Sequence, residues 1–173
     1  MTAPTQGHNR VPPELWRGWA SADTAVVTDL RVVRGGMIQS WRDTSPTMRQ
    51  PPLDHHLVVV HQGGAKRVWR DGGGGRRIIE VEDRSITTTE AGSAYRWRTE
   101  GPIAFSHLYV RPDYFAALVA EAFDRDPSSV SFAETIGRPD PHAANLFDLL
   151  LQGLENPDWS LSADYYVDAL LIR

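Results

Sequence analysis

Imidazole can ligate a metal, move a proton or orient a ligand, so His55, His56, His61 and His107 are the first residues to test for chemistry. Leu53 to His61 reads as a strand, in which adjacent side chains point to opposite faces. His55 and His56 therefore cannot chelate one ion, and His55 and His61, which share a face, are separated by about 20 Å at ~3.3 Å per residue. The next carboxylate after His61 is Asp71. The spacing predicts no metal site and no cofactor, with one of His55 and His56 in solvent and the other hydrogen-bonded inside. The chain has no Cys, which excludes thiolate zinc sites, disulfides and a cysteine nucleophile. It has no Gly-x-Ser-x-Gly elbow, and Ser93 and Ser106 lack an evident base. Asp54, Glu80, Glu82, Glu90 and Glu100 are spread over strands and turns as solvated charges. Gly72 to Gly75 is not followed by Lys-Ser/Thr and reads as a hairpin tip. No catalytic residue is assigned.

The elements that must position these side chains fit in one domain: 173 residues bury about 70% of their unfolded surface. A net charge of −4 gives no positive field to hold a phosphate backbone. Apolar runs such as Leu57 to Val60 are too short for a membrane span or leader, so no membrane partner and a cytoplasmic location are expected. Residues 1–24, with Pro4, Pro12 and Pro13, read as an N-terminal arm. Residues 25–111 hold short β-branched runs punctuated by Gly and Pro: Ala25 to Arg34, Met37 to Trp41, Leu57 to His61, Arg67 to Arg70, Arg77 to Glu82, Arg84 to Thr89, Tyr95 to Arg98 and Ile103 to Val110. These predict an antiparallel sandwich or barrel. Residues 112–173 change to helical period. Helices are predicted after Pro112, after Pro141 with Asp140 as N-cap, and over Leu161 to Arg173, where no Gly, Asn or Pro ends the run.

Side-chain parity then proposes a cavity. Ile103, Phe105, His107 and Tyr109 share one face of their strand, and Tyr95 and Trp97 share another, with Arg96 and Arg98 opposite. In Leu53 to His61 parity alone does not choose between His56, Val58, Val60 and His55, Leu57, Val59, His61; the two valines beside a single His read as the lined interior. Trp97, Tyr95, Phe105 and His107 would wall a small-ligand pocket, with Trp41 and Trp69 as further wall candidates. A filled core is the alternative.

One pattern ties these segments together. Asp54-His55-His56-Leu57 running into His61-Gln62-Gly63-Gly64, then Glu90-Ala91-Gly92-Ser93 and Trp97, then Ser106-His107-Leu108-Tyr109-Val110-Arg111-Pro112 before a helix, resembles the N-terminal regulatory domain of AraC-family transcriptional regulators. The likeness runs from about Ala25 to Arg173. It implies an α+β fold, an antiparallel cupin-like β-barrel followed by about three C-terminal helices, that binds a small effector and forms a homodimer. The positions that face the effector in sugar-sensing relatives fall on Val60, Trp97, Phe105 and His107. With His56 and Tyr95 from the parity argument they make the expected ligand-binding set. Val60 stands where such relatives carry an Arg, so an apolar or aromatic effector is expected rather than a sugar. The resemblance makes Val11 to Trp19 an arm that closes the pocket; packing of Trp16 and Trp19 on the barrel exterior is the alternative. The expected dimer surface is Leu146, Leu150 and Leu154 with Tyr165 and Tyr166, unless that stripe packs on the barrel's own flank. Relatives of this kind contact DNA through a C-terminal helix-turn-helix domain that this sequence does not contain, so a truncated chain or a stand-alone sensor is implied. Two other readings stay open: a stand-alone cupin-type metal-dependent enzyme using His56 and His107, and a dimerisation module with a collapsed pocket.

Overall fold

The computed structural model describes residues 10–19, 24–26, 30–43, 47–156 and 160–173. Among the described residues a short 3-10 helix, Pro13–Trp19, precedes eleven strands: β1 Thr24–Val26, β2 Arg31–Val33, β3 Gly36–Asp43, β4 Thr47–Gln50, β5 His56–Gln62, β6 Lys66–Gly72, β7 Gly75–Val81, β8 Ser85–Thr89, β9 Tyr95–Glu100, β10 Ala104–Val110 and β11 Thr135–Pro139. Helix α1, Pro112–Phe123, sits between β10 and β11, and α2, Pro141–Leu154, and α3, Ser160–Leu171, follow. Pro opens both α1 and α2, where its missing N–H costs nothing. Asp140 caps α2 by accepting the Ala143 amide at 2.9 Å. Within residues 25–34, expected as one strand, two short strands form, β1 and β2. Among the described residues no helix is long and apolar enough to cross a membrane.

The strands make two sheets rather than the closed barrel expected. One runs β1-β3-β10-β5-β8-β11 with β2 also on β3; the other runs β4-β9-β6-β7. All the pairings are antiparallel, and among the described residues no strand ladder joins the two sheets. The middle of the first sheet, β5 and β10, is buried on both faces. Val58, Val60, Leu108, Val110 and Ile38 point to one side, where Phe147, Leu150 and Val167 of α2 and α3 cover them. Leu57, Val59, Tyr109 and Met37 point to the other, toward the second sheet. The register β5 to β10, with Val59 opposite His107 and His61 opposite Phe105, keeps each set on its side. The second sheet is wet outside: Trp69, a wall candidate by sequence, faces outward beneath the guanidinium groups of Arg98 and Arg67, 5.1 and 6.0 Å from its ring.

The β3–β10 seam tolerates nothing at Gly36. A Cβ there would stand 1.9 Å from the Tyr109 carbonyl oxygen, a backbone atom that cannot swing aside. Gly36→Ala should cost about 3 kcal/mol or more, at or above the usual overpacking range of about 1–3 kcal/mol. Gly74→Ala, with no atom within 4 Å of the new methyl, should stay within about 0.5 kcal/mol. Urea midpoints of the two variants check the pair; equal midpoints would contradict the packing at the seam.

Candidate functional site

A cavity of about 60 Å³ lies between the sheets, walled by Leu57 and Val59 of β5, Phe105 and His107 of β10, Val68 of β6 and Trp97 of β9. His107 stacks on Phe105, ring centroids 4.8 Å apart and 12° from parallel, and on Trp16, 5.0 Å and 17°. His107 is thus in near-parallel contact with both rings. Trp16 comes from the 3-10 helix of the arm and is 2% exposed. Its indole also meets Trp41 at 6.1 Å and the edge of Tyr109 at 6.1 Å, and its Nε1 donates to the Arg49 carbonyl at 3.1 Å. Two backbone bonds dock the arm upstream: Val11 N–H to Pro52 O at 2.8 Å and Asp54 N–H to Val11 O at 3.1 Å. Trp16 is therefore inside the molecule, not on the exterior.

The polar groups are few and individually placed. Trp97 Nε1 donates to Gln50 Oε1 at 2.9 Å, and Gln50 Nε2 donates to the Ser93 carbonyl at 3.3 Å, which fixes the indole plane. His107 Nδ1 and the Tyr109 hydroxyl share a 2.9 Å hydrogen bond. His61 Nε2 lies 2.8 Å from Thr87 Oγ1, which also accepts the Gly137 amide at 3.0 Å. His61 Nδ1 is buried with no partner. Lys66 lines the cavity and is 4% exposed, its Nζ donating to Gln62 O at 2.6 Å and, at 3.4 Å, to Ala104 O. Burial pushes His107 down to about 3, helped by His61; burial, then the Lys66 charge, pushes His61 down to about 3. Both rings are neutral at pH 7. Burial also lowers the Lys66 ammonium, partly opposed by Asp83.

Of the expected ligand-binding residues, Trp97, Phe105 and His107 line this one cavity. His56 and Val60 do not: they occupy the opposite face of β5. Val60 packs in the helix-side core. His56 stacks on Phe132 at 4.3 Å and accepts the Ala91 amide at Nδ1, 3.1 Å. The inward parity of β5 is thus Leu57, Val59, His61. Tyr95 stands edge-on to Trp97 at 5.7 Å but at the rim, its hydroxyl bonded to Glu134 at 2.7 Å and Arg70 over its ring at 4.3 Å. His55 is held by Asp54 Oδ1 at 2.6 Å rather than left free in solvent. His56 and His107, the pair named for a metal enzyme, are split by the sheet, and the described residues contain no group of three metal-ligating side chains. His61 and His107 share the cavity face, but the cavity lining carries no carboxylate to join them. Sequence reasoning did not place His61, Lys66, Gln50 and Thr87 in the cavity; His61 stood on the parity set of its strand that was passed over, and the arm Val11 to Trp19, expected over the pocket, supplies Trp16.

On the helices, Leu150 is fully buried in the chain's own core, and Leu146, Leu154 and Tyr166 pack against it. Most of the expected dimer stripe is thus used within the monomer, and Tyr165 alone of the five is exposed, at 79%.

The neutral histidines set an acid limit. His61 and His107 bind protons near pH 6.5 when unfolded but only near pH 3 when folded, so the unfolded state gains protons first as pH falls. The stability from keeping them neutral is whole above pH 6.5 and is lost progressively below it, with roughly 1–2 kcal/mol per ring gone by pH 5. Urea midpoints at pH 7 and pH 5 test this, and His107→Gln should flatten the slope. A wild-type profile level between those pH values would contradict the burial of both rings.

No family model matches the sequence, and no curated protein is similar to it in sequence. Among solved structures, the AraC-like transcriptional activator CuxR superposes with a TM-score of 0.51 at 15% identity, over 92% of this chain and 65% of that one. This chain therefore spans just under two thirds of that activator. A cupin domain from Bordetella pertussis Tohama I matches 50% of this chain and 94% of its own length, at 10% identity and a TM-score of 0.41. The chain shares its fold with the matched part of that AraC-like activator.

Proposed function

We propose that this chain is a small-molecule effector-binding and dimerisation domain of the AraC type, cytoplasmic and without catalytic activity of its own, whose output is the DNA binding of a domain outside this sequence. The observation that carries the reading is the Trp16–His107–Phe105 stack. The cavity beside it, at about 60 Å³, is too small for an aromatic ring, since a site that takes benzene measures about 150 Å³. An aromatic effector gains room only when the Trp16 indole leaves. The slot it vacates is bounded by His107, Trp41 and Tyr109, three ring surfaces suited to another flat ring. The arm then has two states, indole in and indole out, and an effector that competes with the indole favours the second. Such competition is a differential affinity, the quantity any transmitted signal requires.

The choice of binding over catalysis rests on the lining. Neutral histidines flanked by apolar walls, with no carboxylate beside them, supply no paired acid and base for proton transfer. Dimerisation is assigned to the outer surfaces of α2 and α3, where Tyr165 and Leu149 stay exposed.

2-Naphthol serves as a neutral aromatic probe. It should raise the thermal midpoint of the wild type, and Trp97→Ala should abolish that shift while leaving the oligomeric state unchanged. Trp16→Ala should fold and bind the probe about ten-fold tighter, because the competing indole is gone. An unfolded Trp16→Ala protein would show instead that the indole is core. Sedimentation should find a wild-type dimer that Tyr165→Glu converts toward monomer; a wild-type monomer at high concentration would remove the dimeric half of the proposal.

A further inference from the structure

The cavity lining carries one formal charge. Lys66 is its single Lys or Arg, and no Asp or Glu lines it. Among the described residues no carboxylate lies within 4 Å of Nζ, whose partners are the two carbonyls of Gln62 and Ala104. Carbonyls satisfy donors without cancelling charge, and an ammonium has three donors, so one remains. The second observation is His61 Nδ1. Thr87 Oγ1 accepts the Gly137 amide, and the tautomer in which it also donates its hydrogen to His61 Nε2 uses both of its roles. In that tautomer the ring proton sits on Nδ1, and that buried, partnerless atom is a donor. A cation with no carboxylate in ion-pair reach, Asp83 acting on it only from farther off, and a donor lacking an acceptor thus belong to residues that line one small apolar cavity. Each lacks the same thing, an anionic acceptor.

We propose that the effector is a flat aromatic carboxylate, its anionic head held by Lys66 Nζ and His61 Nδ1 and its ring stacked in the slot that the Trp16 indole vacates. This rests on the effector-binding reading above and narrows it to a ligand class. A bare inorganic anion would leave the apolar walls Leu57, Val59, Val68 and Phe105 unused, and a neutral ring would leave the ammonium unneutralised. Only a molecule with both parts satisfies both.

The test compares 2-naphthoate with 2-naphthamide, which share a ring and differ in the charge of the head group, by calorimetric titration of the wild-type protein at low salt. The carboxylate should bind at least about ten-fold tighter, the usual margin of a charge-assisted over a neutral hydrogen bond. Lys66→Met, which keeps the aliphatic stem, should bring the two affinities together while 2-naphthamide still binds. Equal or tighter binding of 2-naphthamide by the wild type would overturn the carboxylate and leave the aromatic pocket standing. Failure of both compounds to bind would overturn the effector reading as well. The wild-type comparison needs no variant, so it decides the matter even if Lys66→Met does not fold.

Discussion

Strands β5 and β10 run through the middle of the first sheet, and both of their faces are buried. Every residue on them is assigned to one of two interiors by parity, and the register Val59 to His107 carries that assignment from one strand to the other. Even-numbered residues of both strands make a closely packed seat for the helices; odd-numbered ones make the wall of a cavity that holds rings and a few polar atoms. A slip of one residue would place His107 and His61 among the helices and Val58 and Val60 in the cavity. Gly36, with no room for a methyl against Tyr109, helps pin that register from the β3 side.

Within the cavity the polar groups obey the rule that burial without a partner is expensive. Trp97, Gln50, Thr87, Tyr109 and one nitrogen each of His61 and His107 are all hydrogen-bonded. The histidines avoid a buried charge by staying neutral. Lys66 is the exception, a cation held by carbonyls, and its position beside a partnerless nitrogen fits a site that a ligand completes more than a core that is finished.

Much of the architecture could be read from the sequence because its signals are local. Pro112 and Pro141 open helices that begin where they stand, and Gly72 to Gly75 contains the β6–β7 turn. On β9 and β10, alternation placed Trp97, Phe105 and His107 on faces that do meet. β5 was illegible for a physical reason: a strand buried on both sides shows valine on both sides, so its period carries no direction. His56 and Val60 went to the wrong interior on that account. β11 was missed because Gly137 and Pro139 interrupt so short a strand, and Gly137 is needed there for its φ of 58° against Val81. Trp16 sits in a proline-flanked turn without periodicity. Nothing but the tertiary fold brings it to His107. The barrel failed for a different reason, since closure depends on whether the outermost strands pair, which no local pattern encodes.

The two-interior sheet also bears on how a signal would leave the cavity. On the proposed reading, an effector has two routes outward: through the sheet to α2 and α3, or through the arm. The first route crosses Val58, Val60, Leu108 and Val110, each no more than 3% exposed and packed against Phe147 and Leu150, and a core of that density resists graded displacement. The second needs the Trp16 indole to leave its ring neighbours and the core residues Leu53 and Leu57 and to release its hydrogen bond to Arg49, while the buried Pro13 and the Val11 bonds hold the segment upstream. On the proposed reading the arm's is the motion that leaves the packed sheet intact. A sensor built this way would report its ligand by where the arm lies while the helices keep their places on the sheet, and the dimer formed by those helices would be a fixed frame rather than the moving part.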